Sequence, residues 1–239
     1  EKFINIIMIK KKKILAIIPA RGGSKGIKLK NLRKINGKSL IKITAEIISK
    51  IKFIDRAVIS TDNKKIALEA IKNNLTFYKY RPKYLSGDKI SDIEVIKFTL
   101  NEVEKIENTN YDIVLMLHPT SPLRKKSDVE KSLKLLLKKN YDSVWTVSKT
   151  DSKFHPYKQL LVNKGKLKYF SKKGSKIIYR QQLNQVYHRN SVAYVVKSKL
   201  LKKRKSIITN KTGAYLVKDN QISIDTMSDL SYANKLLKR

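Results

Sequence analysis

The sequence predicts an α/β fold: a mostly parallel sheet flanked by helices, with a small β-rich insertion. Three observations carry that expectation. Apolar, β-branched runs of strand length alternate with segments of helical period from Ile14 to about Lys149. The first run, Ile14 to Ile18, opens directly into a glycine-rich loop, as strands of open α/β sheets often do. Between about 150 and 190 the rhythm changes to short strand-like pieces broken by glycines and polar turns.

Taken in order, Ile14–Ile18 reads as a buried strand ended by Pro19. Ser39 caps a helix to about Ile51, with Leu40, Ile43, Ile47, Ile48 and Ile51 on one face. Asp55–Ser60 is the second strand, and Thr61-Asp62-Asn63 leads into a helix that turns Ile66, Ala67, Ala70 and Ile71 inward. Leu75–Tyr80 reads as a short third strand, and Pro82 holds Arg81 out of helix. Ser91 or Asp92 caps a helix to about Glu107. Tyr111–Leu117 is the most apolar strand and is expected at the centre of the sheet. The loop after it, His118 to Arg124, contains Pro119 and Pro122 and lies at a strand's carboxyl end, where such sheets bind ligands. Ser127 is expected to cap the next helix, to about Asn140, and Ser143–Ser148 to form another strand. Within the insertion, Lys166–Phe170 and Ile177–Tyr179 look extended. Val192–Val196 returns to the main sheet, Gln221–Ile224 is a candidate last strand, and Thr226 or Ser228 caps a final helix to Leu237.

The loop after the first strand carries the chemistry. Gly22, Gly23 and Gly26 let the backbone approach a ligand, and Arg21, Lys25, Lys28 and Lys30 add cations. That combination suits the phosphates of a nucleoside triphosphate. Two familiar phosphate loops are excluded. The spacing Gly-Gly-x-x-Gly is not the dinucleotide fingerprint, and no Gly-Lys-Ser/Thr follows a glycine at P-loop distance. From the glycine spacing alone, a solvated basic loop fits equally well.

Composition narrows the class. The chain of 239 residues has 41% hydrophobic residues, enough for one large α/β domain with an insertion. It has no cysteine, which excludes disulfides, thiolate metal sites and cysteine nucleophiles. No apolar run approaches the roughly 20 residues that span a bilayer. We therefore expect a cytoplasmic protein with no membrane partner. The formal charge of +35 is spread along the chain, mostly as lysine, rather than gathered on one face with aromatics between. This argues against a specific nucleic-acid partner but favours anionic substrates. Residues 1–13 read as an N-terminal extension. The chain begins at Glu1 and carries Met8 before the lysine run, so residues 1–7 read as a fragment edge or read-through. The basic run and short apolar segment lack a small-residue cleavage site and do not read as a secretory signal.

Seven segments, in order, resemble one family. They are IIPARGGSKGIKLKN, VISTDN, RPKYLSGD, MLHPTSPLR, YDSVWTV followed by FHP, RQQLNQVYHRNSVAY and ISIDTMSDL. They are similar to motifs of the acylneuraminate cytidylyltransferases (CMP-sialic acid synthetases) and of relatives that activate other 3-deoxy-2-ulosonic acids. The resemblance implies a Rossmann-like nucleotidyltransferase fold spanning residues 14–239, and a homodimer in which the β-rich insertion at about 150–190 serves as the dimerisation arm. It implies transfer of a cytidylyl group from CTP to the 2-hydroxyl of an acidic nine-carbon or related sugar, with Mg2+ and release of pyrophosphate.

Residue by residue, the resemblance puts Arg21 and Lys30 on the triphosphate. It makes Ala20, Gly22, Gly23 and Ser24 part of its cradle, and Asn31 and Arg81 nucleotide contacts. Arg180 resembles an arginine near the reacting groups, suited to bidentate pairing with the sugar carboxylate; Lys158 and Arg189 are weaker candidates. Asp225 resembles a magnesium ligand. The chain departs from the motifs at Ser223, where an aspartate is usual and where a hydroxyl would act through a metal-bound water. It departs again at His118, which replaces a glutamine associated with the sugar, at Asn184, which replaces a proline, and at Ser191, which replaces a glycine. No residue is identifiable as general base. Another sugar nucleotidyltransferase, or a decayed basic protein that binds polyanions, is the alternative expectation.

Overall fold

The computed structural model describes residues 9, 11–204 and 206–237. The expectations for residues 1–7 and for Met8 lie outside the described residues.

The chain opens with strand β1 (Ile14–Pro19), whose residues Ile14 to Ile18 are completely buried. After the glycine loop and a short hairpin, β2 (Lys34–Ile35) and β3 (Lys38–Ser39), comes helix α1 (Leu40–Ile48), capped by the Ser39 hydroxyl, which accepts from Lys42 N. Strand β4 (Arg56–Ser60) leads to α2 (Lys64–Lys72), capped by Asn63. Helix α3 (Asp92–Glu107) begins with a reciprocal capping box between Ser91 and Glu94. Strand β5 (Ile113–Met116) and helix α4 (Lys126–Lys138) follow, then β6 (Ser143–Lys149). A projecting hairpin, β7 (Leu160–Asn163) and β8 (Lys166–Tyr169), sits among 3-10 turns. The long strand β9 (Tyr187–Lys197), helix α5 (Ser198–Lys203), strand β10 (Thr212–Leu216) and helix α6 (Met227–Leu237) complete the chain.

The main sheet has the order β10-β6-β9-β5-β1-β4. Every pairing is parallel except those of β9, which runs antiparallel between β5 and β6. Strand β5 lies inside the sheet, as its apolar sequence demands. Alternation along β1 distributes the core to both faces. Ile14, Ala16 and Ile18 pack with Ile41 and Ala45 of α1, Ile66 and Ala70 of α2, and Leu133 and Leu136 of α4. Leu15 and Ile17 face Ile96, Leu100 and Val103 of α3 and Leu201 of α5. Helix α6 covers the hairpin end through Leu230 and Ala233, against Ile27, Ile35 and Leu40.

The local departures have physical reasons. Leu75–Tyr80 makes only one bridge, Thr76 to Val58, because β4 is the last strand and the segment leaves it at once. Ile71 is 51% exposed, one step off the buried stripe of Ile66, Ala67 and Ala70. Helix α4 starts at Lys126 with Lys125 in the cap position, so Ser127 lies inside the helix. Ile177–Tyr179 is not a strand; its last two amides, those of Ile178 and Tyr179, donate to the Gln182 side chain instead of a ladder. Gln221–Ile224 is also no strand. The sixth strand is β10, where Gly213 lets Tyr141 pack against it: a Cβ there would stand 2.3 Å from the ring.

Candidate functional site

The carboxyl ends of β1, β4 and β5 open onto a cleft of about 610 Å3. The glycine loop forms one wall, and its shape follows from its neighbours. Gly22 N donates to Asp62 Oδ1 at 2.7 Å, and Ser24 N to Gly22 O at 3.1 Å. Ala20 is buried and donates its amide to Ser60 O, anchoring the loop to β4. Gly22 and Gly26 are required by close approach. A Cβ on Gly22 would stand 2.8 Å from the Asn63 side chain, and one on Gly26 only 2.3 Å from the Asp225 carbonyl. Gly23 has open space around it. Asn31 is buried behind the loop. Its Nδ2 donates to Arg21 O at 3.2 Å, while its Oδ1 has no partner among the described residues.

Arg21, Lys25 and Lys30 line this wall, and each is held by a carboxylate. Asp88 bridges two of them, Oδ1 to Arg21 Nη2 and Oδ2 to Lys25 Nζ, both at 2.7 Å. Lys25 and Arg21 together hold the Asp88 carboxyl below the usual carboxylate range. Lys30 Nζ lies 2.8 Å from Asp225 Oδ1. Carboxylates therefore stand against the cations, and against the Gly22 amide, that a phosphate chain would use.

The opposite wall comes from the connection between α2 and α3 and from the ends of α3 and β5. Arg81 is buried at 6% exposure, and its Nε and Nη2 have no hydrogen-bond partner among the described residues. Burial is the main force lowering its pKa; Arg21 adds to the lowering, and Asp62 and Asp92 oppose it. A desolvated guanidinium with free donors is costly unless something accepts from it, so this is where a ligand is expected. Beyond Arg81, His118 Nε2 lies 3.3 Å from Asp92 Oδ2, and the His118 ring stands edge-on to Tyr194 at 5.8 Å. The loop behind His118 is fixed by Arg124, which is fully buried and donates to the carbonyls of His118, Ser191 and Val192. A side pocket of about 350 Å3 continues from this end, walled by Trp145, Tyr194, Met116 and Ile207, with Arg189 over Trp145 at 5.7 Å.

The cleft thus gathers Arg21, Ser24, Lys30, Asn31, Arg81, His118, Ser223 and Asp225 of the expected residues. It does not gather Arg180. That side chain lies on the arm and lines a separate cavity of about 420 Å3 with Asp151, His155 and Asn184. Its role beside the reacting groups is not met within one chain. Sequence reasoning missed Asp88 and Asp92 as cleft residues. The first lies in the RPKYLSGD segment and the second opens a helix capped by Ser91, so each had an ordinary reading; only folding brings them opposite Arg21 and His118. For a metal, no group of three or more His, Cys, Asp or Glu side chains occurs among the described residues. Asp225 and Ser223 nevertheless line the cleft beside the glycine loop, a sparse oxygen set of the kind Mg2+ accepts when substrate phosphates complete its shell.

A mostly parallel α/β sheet here carries a cationic glycine loop at the mouth of a cleft, an arrangement suited to the phosphates of a nucleotidyltransferase substrate. The chain belongs to the Cytidylyltransferase family, whose model matches residues 15–239. It is 30% identical over 220 residues to the post-translational flagellin modification protein B of Campylobacter coli, covering 92% of each chain. It is 28% identical over 227 residues to the pseudaminic acid cytidylyltransferase of Campylobacter jejuni, covering 95% of this chain and 97% of that one. In fold it is similar to a CMP:2-keto-3-deoxy-manno-octonic acid synthetase solved with CTP, at a TM-score of 0.72 and 16% identity, covering 95% and 98% of the two chains. No helix among the described residues is long and apolar enough to cross a membrane.

Proposed function

We propose that this chain transfers the cytidylyl group of CTP to the 2-hydroxyl of a sialic-acid-like 3-deoxy-2-ulosonic acid, releasing pyrophosphate. One observation carries the reading furthest. The buried guanidinium of Arg81, whose Nε and Nη2 have no partner among the described residues, faces the same cleft as the Arg21, Lys25 and Lys30 loop, in a chain of the cytidylyltransferase family. The similarity to a pseudaminic acid cytidylyltransferase supports the acidic-sugar class of acceptor.

In this reading the triphosphate lies along the Gly22–Gly26 backbone and takes over Arg21, Lys25 and Lys30 from their carboxylates. Asn31 and Arg81 hold the rest of the nucleotide. The sugar hydroxyl attacks the α-phosphorus and loses its proton as the new P–O bond forms. The bond from the α-phosphorus to its bridging oxygen breaks, and pyrophosphate leaves. Negative charge grows on the α-phosphoryl and leaving oxygens, and preorganised cations and amides stabilise it more than they stabilise the ground state. Asp225, with Ser223 through a water, would hold Mg2+, which supplies further charge neutralisation on the phosphates. The sugar lies towards His118 and the aromatic side pocket, whose apolar walls and few polar groups suit a substituted sugar. Arg180 pairs with the sugar carboxylate only if the arm of a second copy brings it there, so a homodimer belongs to this proposal.

The experiment is a grid of acidic sugars (neuraminic, legionaminic, pseudaminic and octulosonic types) against CTP, UTP, ATP and GTP with Mg2+, read as pyrophosphate release. Release with CTP and one or more of these sugars is expected. Release with CTP-independent preference, or none with any sugar, overturns the reading; salt-sensitive polyanion binding without release would instead mark a binding protein.

A further inference from the structure

Asp92 stands at a junction. It lines both the nucleotide cleft and the aromatic side pocket, a position that among the described residues only Ile90 shares. It is the first residue of α3, fixed by the Ser91–Glu94 capping box, so its backbone is among the better anchored in the cleft. Its Oδ2 accepts from His118 Nε2 at 3.3 Å. A carboxylate can only accept, so the donor in this pair is the His118 ring. Nδ1 is buried and has no partner among the described residues. Around the pair, Arg81 stands on the nucleotide side and Arg189 on the side-pocket side. The Asp92 side chain keeps 52% of its surface exposed; its partial desolvation opposes charge, but His118, Arg189 and Arg81 outweigh it and hold the carboxyl below its ordinary range. The junction therefore sets a carboxylate and an unpartnered imidazole nitrogen where the cleft meets the side pocket.

We infer that Asp92 is a positioning residue for the acceptor substrate: it locks the orientation of His118, and its carboxylate accepts from a hydroxyl or N–H of the sugar where the cleft meets the side pocket. A nucleotide presents its phosphates as acceptors and gains nothing from an anionic neighbour. A polyhydroxylated, acylated sugar presents donors, and a site built to accept from them discriminates against an analogue that lacks one. The inference rests on the function proposed above and assigns the half of the site that the cationic loop does not reach.

The test is steady-state kinetics of pyrophosphate release by Asp92→Ala, Asp92→Asn and His118→Gln and by the double variant Asp92→Ala/His118→Gln, with CTP and sugar varied separately. Folding is checked by circular dichroism; Asp92→Asn keeps the shape if Asp92→Ala does not fold. We expect the sugar KM to rise about tenfold or more in each single variant, with the CTP KM within about twofold. The double variant should lose little beyond the worse single one, since both act through one contact. The ratio of kcat/KM between sugars differing at one hydroxyl or acylamino group should also fall. An unchanged sugar KM in folded Asp92 variants, or an equal rise for CTP, overturns the inference alone. If the wild-type chain releases no pyrophosphate with any acidic sugar, the proposed function falls first and this inference with it.

Discussion

Two arginines are buried among the described residues, and their partners separate structure from function. Arg124 spends its donors on the carbonyls of His118, Ser191 and Val192, which ties the loop after β5 to β9; burial pushes its pKa down to about 9. Arg81 keeps Nε and Nη2 free beside the cleft. Removing each should therefore fail differently. Arg124→Ala should cost about 3 kcal/mol or more of unfolding free energy, because three carbonyls lose their donor. Arg81→Ala should change stability little while raising the CTP KM about tenfold or more, as measured by urea melts beside CTP titrations. A second residue-scale test concerns Ser191, which sits at φ 58°, where the related motif carries glycine. A side chain there costs about 1 kcal/mol, so Ser191→Gly should stabilise the fold by about that amount in the same melts. No gain would mean that the left-handed turn is not strained.

The loop from Ser86 to Ile90 shows how an element can hold a site shut with charge. Asp88 occupies both Arg21 and Lys25, so in the proposed reading a triphosphate competes with it for the same donors. Replacing it by asparagine keeps the volume and removes the competing charge. Asp88→Asn should lower the CTP KM about two- to fivefold, the scale of an exposed pair, and a rise instead would make Asp88 a contributor to binding. At this scale the sequence was informative where periodicity was strong. The strands at Ile14 and Ile113, the helices capped by Ser39, Asn63 and Ser91, and the loop's role in gathering Arg21, Lys30 and Asn31 all follow from local pattern. It was silent where tertiary pairing decides. Strand β10 has only Thr212–Leu216 to announce it and is held by β6, while the more apolar Gln221–Ile224 stays irregular with Ile224 buried against the hairpin end. Asp92 was legible as a helix start but not as the partner of His118, since their contact spans from α3 to the loop after β5.

Over the whole molecule, two properties extend beyond the cleft. The net charge of +35 creates a field that draws anionic substrates in, so association should weaken as salt rises. The arm exposes Phe154, Val162, Leu167, Phe170, Ile178 and Tyr179, and Val162 and Leu167 face each other across the β7–β8 hairpin at 71% and 67% exposure. Such a patch is costly in water and is best covered by a second copy, which would also bring Arg180 to a neighbouring cleft. Light scattering after size exclusion should give a dimer, and the pair Val162→Glu, Leu167→Glu should give a monomer with weakened sugar use. A wild-type monomer at micromolar concentration would leave Arg180 outside the chemistry. The most direct test of the whole account is product analysis by mass spectrometry and 31P NMR after incubation with CTP, Mg2+ and the acidic-sugar panel, using wild type and Arg21→Ala side by side. The account predicts a CMP–sugar diester and equimolar pyrophosphate from the wild type, and neither from a folded Arg21→Ala variant. A wild type that forms no such diester, or an Arg21→Ala variant that forms it at the wild-type rate, would contradict it.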